Sequence, residues 1–300
     1  YTNTGYKNEI SAFTKATYTL QRFTFFGDVQ YRYASFEYKG QVFMETIQWH
    51  FINPKAGLSV VLKPNTTAYY SIGQAGREPT RNDMFGGNDD LIADSLGNAM
   101  LSVRAAEYVL NQELGIRRRT GKTVLSMNAY YMDFKNEIVL NGQYGPNGLA
   151  LTNHVAKSFR TGLELSANYT VNKHITLINH SSLNYSRIKE QSEIFSPILT
   201  PPLIINQEAI YSYKAFSISV SARYQGKSFI DFANTSIINE YFLLNSRIQY
   251  DLHAFQFSVF VNNITNSKYF SNGYVGADGT DKYFVQSLTN AYISVKYSFR

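Results

Sequence analysis

The chain has 300 residues, of which 44% are hydrophobic and 17% charged, with a net charge of +6. This charge is modest, and its densest basic run, Arg117–Arg119, falls at a predicted turn, so the composition does not indicate nucleic-acid binding. The absence of cysteine excludes disulfides, thiolate metal sites and cysteine nucleophiles, and no segment approaches the roughly 18 apolar residues of a transmembrane helix.

Alternation of apolar and polar residues runs through nearly the whole chain. In the segment 216–224, for example, every second residue is apolar and the residues between are Ser or Arg. Side chains alternate faces along a strand, so a period of two predicts a strand with one apolar face. Thirteen segments have this character: roughly 12–20, 23–37, 46–62, 66–73, 107–119, 122–139, 157–171, 175–188, 204–213, 216–224, 241–251, 254–262 and 290–299.

The connections between these strands alternate between short and long. The short turns are Gln21-Arg22, Lys63-Pro64-Asn65, Thr120-Gly121, Asn172-Lys173-His174, Lys214-Ala215 and Leu252-His253, and the long loops are 38–45, 74–106, 140–156, 189–203, 225–240 and 263–289. Transmembrane barrels have short periplasmic turns and long extracellular loops. We therefore predict an all-β fold, an antiparallel transmembrane β-barrel meander. A soluble β-sandwich is the alternative, but it would expose a contiguous apolar surface that soluble proteins avoid.

Three local features follow from the same patterns. A two-residue turn at Leu252-His253 would pair Tyr250 with Phe255. Pro54 lies inside a predicted strand, where proline cannot donate to the ladder, so we expect a bulge or a rim position there. The segment 91–103 contains good helix formers and predicts a short helix within the loop 74–106.

The odd number of predicted strands bears on completeness. Single-chain bacterial barrels have an even number of strands, and an open sheet with a lipid-facing edge is not viable in a bilayer. The chain begins at Tyr1 without a signal-like apolar segment. We expect residues 1–300 to form a single β-barrel domain that is the C-terminal portion of a larger barrel, with the N-terminal strands missing.

Several motifs occur in the order found in one known family. They are Phe51–Leu58, Gly76–Asp83, Glu107-Tyr108 with Glu113–Gly115, Tyr130–Asn136, Lys157–Glu164, and Val261–Ile264 followed by Lys268-Tyr269. Together these resemble the barrel of TonB-dependent outer-membrane receptors, over nearly the whole chain. Such a receptor has about 22 strands and a plugged lumen, so about thirteen strands would be present here and the plug domain absent.

The resemblance implies active uptake of a scarce, bulky nutrient such as a siderophore, cobalamin, a glycan or a peptide, at the bacterial outer membrane. The implied partners are the TonB complex, reached through the plug, the outer-membrane lipid, the nutrient ligand and a surface lipoprotein, with no nucleic acid and no cofactor. A passive porin-like channel is the alternative function. The sequence shows no nucleophile elbow and no P-loop, so we do not expect an enzyme.

Candidate ligand-binding residues lie in the long loops. They are the polar residues Arg77, Arg81 and Asp83 and the aromatic residues Tyr144, Phe229, Tyr269 and Tyr274. The aromatic rings could stack on a sugar, a catechol or a macrocycle, or could pack on one another and on the barrel rim. Oxygen ligands are also close together at Asp89, Asp90 and Asp94, a candidate calcium site whose spacing departs from the EF-hand pattern. No other metal site is expected.

Overall fold

The computed structural model describes residues 2–190 and 193–299. All thirteen predicted strands are present, and each pairs antiparallel with the next one in the chain. They are β1 (Thr4–Leu20), β2 (Phe23–Lys39), β3 (Ile47–Lys63), β4 (Thr66–Arg77), β5 (Glu107–Arg119), β6 (Thr123–Tyr144), β7 (Ala150–Thr170), β8 (Ile175–Glu190), β9 (Leu203–Tyr213), β10 (Phe216–Gln225), β11 (Tyr241–Leu252), β12 (Phe255–Asn262) and β13 (Asn290–Tyr297). The all-β meander is therefore confirmed.

Shorter elements lie in the long connections on the loop side of this sheet. The strand Glu193–Phe195 pairs with β8 and makes the sheet fourteen-stranded. Three small hairpins join Ile92–Ala93 to Ala99–Met100, Ser228–Phe229 to Ile237–Ile238, and Phe270–Val275 to Asp281–Val285, and one helix covers Arg81–Phe85. Among the described residues, no helix has the length and apolar character that a membrane crossing requires.

The sheet has one continuous apolar face, which is exposed. Cross-strand partners share a face, and Leu163 of β7 lies opposite Ala129 of β6 and Leu183 of β8. Leu163 and Leu183 are 53% and 52% exposed despite their size. We call this the outer face and the opposite, largely polar side the inner face. β1 pairs only with β2, and β13 only with β12, so the described sheet is open, with two free edges.

The short turns follow one geometry at three places. Gln21, Lys214 and His253 each begin a two-residue turn with a positive φ, at 52°, 53° and 54°. Non-glycine residues rarely adopt this left-handed conformation, and it is the one that two-residue hairpin turns use. The predicted register of the last of these hairpins is wrong. The turn is at residues 253–254, so Tyr250 pairs with Phe257, two residues beyond the predicted partner, and both faces are unchanged.

Two loop expectations are also wrong. The segment 140–156 is mostly strand, because β6 and β7 continue to Tyr144 and Ala150 and leave only a tight turn between them. The segment 91–103 is not helical: Ile92–Ala93 and Ala99–Met100 form a hairpin, and the helix lies earlier, at Arg81–Phe85. Both errors arise where tertiary packing outweighs local helix or turn propensity.

Pro54 does not produce a bulge. The register between β2 and β3 is continuous there, with Pro54 opposite Val29. The proline instead marks the point at which β3 leaves β4, since the last pair of that ladder is Lys55 with Gly73. Beyond it the Asn53 side chain accepts a hydrogen bond from the backbone N–H of Gly76 at 3.0 Å. A side chain therefore replaces the ladder at the point where proline cannot donate.

Candidate ligand site at the loop end

The segment 78–106, here called the inner segment, packs against the inner face of β2 and β3. Phe85 of its helix makes edge-on contacts with Tyr38 and Phe36, at ring-centroid distances of 5.3 and 6.3 Å. Met84, beside it, is buried in the same cluster as Phe51. This cluster is the larger of the two hydrophobic cores in the described residues, and it lies at the loop end of the sheet.

A capping box starts the helix of the inner segment. The Thr80 hydroxyl accepts from the Asp83 backbone N–H at 3.2 Å, and the Asp83 carboxylate accepts from the Thr80 backbone N–H at 2.8 Å. The other oxygen of Asp83 accepts a hydrogen bond from the Thr152 hydroxyl at 2.7 Å. Asp83, a predicted ligand residue, is therefore buried and joins the helix to β7.

A charged cluster closes the start of the inner segment. The Arg32 guanidinium of β2 donates to both oxygens of Glu78, each at 2.7 Å, and also to Glu9 of β1. Lys7 adds a second cation 2.7 Å from Glu78. Burial would raise the pKa of Glu78, but hydrogen bonds from Arg32 and Lys7 outweigh it and lower the pKa to about 2. Glu78 therefore stays ionised at neutral pH and ties the segment to two strands.

Arg77, another predicted ligand residue, is held by a carboxylate. Its guanidinium pairs with Glu107 of β5 at 2.8 Å, and Glu107 also accepts from the backbone N–H of Ile138 at 2.8 Å. Nearby on β6, Glu137 is only 3% exposed and is bonded to Arg160 of β7. These pairs link β4 to β7 across the loop end, so Arg77 contributes to the wall that supports the site.

Arg81 and the three aspartates of the candidate calcium site do not converge on one point. Arg81 donates to the backbone carbonyl of Asp89 and, at 2.9 Å, to the side chain of Asn3. Asp90 accepts from Tyr38 and from its neighbouring backbone N–H. Hydrogen bonds from Asn98 lower the pKa of Asp94 and close its own turn. No group of three acidic, histidine or cysteine side chains within 2–190 and 193–299 is placed to hold a metal, so the calcium hypothesis gains no support.

Two of the four predicted aromatic residues meet. The Tyr144 ring at the end of β6 lies edge-on against Tyr274, with centroids 4.8 Å apart, and Tyr274 lies 5.9 Å from Phe284. Tyr144 and Phe284 are each more than two-fifths exposed. Residues from loops more than 100 positions apart thus form one accessible surface, here called the aromatic patch (Tyr144, Tyr274 and Phe284).

The other two aromatic residues lie elsewhere. The Tyr269 ring packs at a tilt against that of Tyr241, with centroids 4.7 Å apart, and burial raises the pKa of the Tyr269 hydroxyl. Phe229 is part of a small hairpin, and its backbone carbonyl accepts from Leu199 at 2.8 Å. Both support the packing of the loops on one another. This packing is close: a side chain at Gly142, with φ of 87°, would meet the backbone oxygen of Ile230 at 2.0 Å.

A cavity of about 590 Å³ lies between the inner segment and the ends of β6, β7 and β8. One oxygen of Glu190 is buried without a hydrogen-bond partner in the described protein. Asn141, whose carbonyl accepts a hydrogen bond from the backbone N–H of Phe232, relates the cavity to the aromatic patch, because it precedes Tyr144 by three residues. The cavity is lined by Gly86, Ser102, Asn141, Leu151, Thr152, Asn153, His154, Val155, Glu190 and Phe232.

Sequence reasoning missed this cavity. His154 and Glu190 are single polar residues in segments predicted as loops, and nothing in their spacing indicates that β7 and β8 bring them together. The useful signal would have been that β6 and β7 extend through the expected loop. A cavity with mixed polar and apolar walls at the mouth of a barrel is the usual form of a ligand site in such folds.

Comparison with known proteins identifies the architecture. A family profile described as "TonB dependent receptor-like, beta-barrel" matches residues 1–264. The ferric yersiniabactin uptake receptor FyuA from Yersinia pestis is 18% identical, with a TM-score of 0.79, over 99% of this chain and 47% of that one. The copper transporter OprC is 16% identical, with a TM-score of 0.83, over 98% and 48%. The ferric citrate transporter FecA is 14% identical, with a TM-score of 0.79, over 99% and 46%.

At these identities the likeness to solved structures shows the fold, and the chain spans less than half the length of those receptors. No curated protein sequence matches the chain. The family profile covers 264 of the 300 residues, and the motifs quoted above lie within that range or directly beyond it. The chain therefore belongs to the TonB-dependent receptor family of bacterial outer-membrane β-barrels.

Proposed function

We propose that this barrel serves active uptake of a bulky nutrient, with energy supplied by the TonB complex through a plug domain. The observation that carries the proposal is the cavity of about 590 Å³ beneath converging loops, on the inner face of the sheet. A ligand held there would lie at the mouth of the lumen. FyuA, FecA and OprC are named for ferric yersiniabactin, ferric citrate and copper, which favours a metal chelate as the first ligand class to test.

The proposed ligand contacts are the aromatic patch and the polar wall of the cavity. The Tyr144 and Tyr274 rings can pack against a planar chelator, while Glu190 and His154 offer hydrogen-bonding groups in the cavity wall. In this proposal Arg77, Arg81 and Asp83 position the inner segment, and Tyr269 and Phe229 support the loops. We further propose that residues 1–300 act as one structural unit, in transport and not in catalysis.

Uptake by whole cells tests this proposal. Cells that lack the receptor are complemented with the wild-type protein, with Tyr144→Ala/Tyr274→Ala, or with Phe43→Ala as a control, since Phe43 is 80% exposed but lies outside the patch. The ligands are radiolabelled ferric chelates and copper, supplied with and without an uncoupler. We expect uptake that the uncoupler abolishes and that the double variant weakens at low ligand concentration. Uptake that is unaffected by the uncoupler would instead indicate the porin-like channel.

A surface lipoprotein partner is a separate part of the proposal. The loops present an accessible rim that includes Leu96, 84% exposed, and Val285, 83% exposed, and exposed apolar side chains on a loop surface suit a protein contact. Crosslinking from cysteines at these two positions, in a chain that has no native cysteine, would identify such a partner. Failure to crosslink any lipoprotein would remove the partner and leave the uptake proposal intact.

A further inference from the structure

Three lysines form a row across the outer face at the loop end. Lys157 of β7 lies directly opposite Lys135 of β6 on one side and Lys189 of β8 on the other. All three side chains are exposed. Directly opposed residues have Cβ atoms about 4.5–5.5 Å apart, and like charges at that distance destabilise a sheet. A bound anion would offset this repulsion.

Protein side chains do not supply that charge. Among residues 2–190 and 193–299, the ion pairs within 4 Å involve other lysines and arginines. Asp133 is on the same face of β6, two positions from Lys135, and it forms none of them. A fourth cation, Arg187, shares this face of β8 and lies 4.0 Å over the ring of Tyr185. The patch therefore carries four cations against one carboxylate.

The row lies at a defined height in the membrane. On β7 the register runs without a shift from Lys157 to Tyr169, so every second residue between them shares the outer face. Tyr169 and Phe159 on that face are 169 − 159 = 10 positions apart, which matches the 9–11 residues with which a tilted strand crosses the hydrocarbon core. Aromatic residues mark both edges of the apolar band of a membrane barrel.

Phe159 belongs to an aromatic belt at the loop-side edge of this band. Its ring centroid lies 6.2 Å from that of Tyr131 on β6 and 5.9 Å from that of Tyr185 on β8. Lys157 precedes Phe159 by two positions in the chain and lies about 7 Å closer to the loop end of the strand. The lysine row therefore lies just outside the hydrocarbon, at the level of the lipid headgroups of the outer leaflet.

We propose that Lys135, Lys157 and Lys189, with Arg187, form a binding site for the phosphate groups of a phosphorylated glycolipid of the outer leaflet. Ammonium and guanidinium groups are the usual partners of phosphate oxygens. The aromatic belt below them provides a surface on which the acyl chains and sugar rings can rest. The site is on the outer face, away from the lumen, so it is independent of the nutrient that the receptor takes up.

Native mass spectrometry of the receptor, extracted from outer membranes in mild detergent, tests the site. The test variant is Lys135→Gln/Lys157→Gln/Lys189→Gln. The matched control is Lys63→Gln/Lys173→Gln/Lys214→Gln, which removes three exposed lysines at the short turns. Each cation near a membrane surface contributes to anionic-lipid binding, so we expect the test variant to lose co-purified phosphorylated glycolipid by roughly tenfold or more. The control should retain it.

Adding lipids back to delipidated receptor separates the possible sources. The phosphorylated glycolipid should raise the melting temperature of the wild-type protein, whereas its dephosphorylated form and phosphatidylglycerol should not. Equal glycolipid on the test variant and the wild type would overturn the proposal, and so would an equal shift with either comparison lipid. If the triple variant does not assemble, Lys157→Gln alone should bind several-fold less glycolipid than the wild type, and Lys157→Arg should bind as much as the wild type.

Discussion

The half of the sheet near the short turns and the half near the long loops are stabilised in different ways. Near the turns, the strands are joined by ladder hydrogen bonds. Large apolar residues such as Leu163 are not covered by other parts of the protein and face the surrounding lipid instead. Near the loops, the inner segment forms a core with Phe51 and Met84 fully buried, and ion pairs fix it to the wall. The comparison shows that one half depends on its solvent and the other on its own side chains.

Charge on the outer face gives the largest expected effect and tests the first half of the comparison. Val220→Arg places a cation near the middle of β10, on the same face as its partner Ala209 of β9, and should destabilise the receptor by about 2–4 kcal/mol in a bilayer. Ser221→Arg, one position on and facing inward, should cost little. Urea unfolding of both variants in lipid vesicles measures the difference. Equal losses would mean that the two faces are assigned wrongly.

This part of the molecule is also the part that the sequence predicted best. A period of two decides which residues share a face, and alternating loop lengths decide the order of pairing, so all thirteen strands were found. The loop half was predicted less well because its contacts join distant segments: Asp83 binds Thr152, and Tyr144 meets Tyr274. No local pattern encodes either contact. The helix expected over 91–103 failed for the same reason.

Removing the charge of Glu78 tests the second half of the comparison. Glu78→Gln leaves Lys7 without its carboxylate and Arg32 paired with Glu9 alone, and losing a hydrogen-bonded charge of this kind costs about 1–3 kcal/mol. The folded-state pKa of about 2 lies below the ordinary value, so the contribution is present above about pH 4.3 and is lost as the pH falls towards 2.

Hydrogen exchange of the Met84 amide, which is bonded to the Thr80 carbonyl at 3.0 Å, measures this pH dependence. Protection in the wild type should decline from pH 5 towards pH 2.5 by more than in Glu78→Gln. Lys39→Gln serves as the control, because its partner Glu37 is exposed. Parallel decline in all three proteins would show that the charged cluster does not hold the inner segment.

The capping box offers a smaller change in the same region. Thr80→Ala removes the acceptor for the Asp83 N–H and should destabilise the inner segment by about 1 kcal/mol. Thr80→Ser keeps the hydroxyl and should be close to wild type. Protection of the Met84 amide again reports the effect, and the barrel's urea midpoint should not move. A shift of that midpoint in Thr80→Ala would show that the two halves unfold together.

The short turns provide the smallest expected effect. Lys214 begins its turn at a φ of 53°, where glycine has no steric penalty. Lys214→Gly should therefore raise stability or leave it unchanged within about 1 kcal/mol, since relief of strain is offset by the greater freedom of unfolded glycine. Lys214→Val, which resists positive φ, should lower stability. If valine is tolerated as well as glycine, the turn conformation contributes nothing to the wall.

The hairpin between β11 and β12 has a consequence for how such walls tolerate insertions and deletions. Its register is two residues away from the one that alternation suggested, yet Ile248 and Val259 still share the lipid-facing side. A change of two residues in a strand therefore alters barrel height without exchanging the faces. A change of one residue would turn every later side chain in that strand to the opposite side, up to the next turn. Viable length variation in the wall should accordingly come in pairs, whereas the loops can vary one residue at a time.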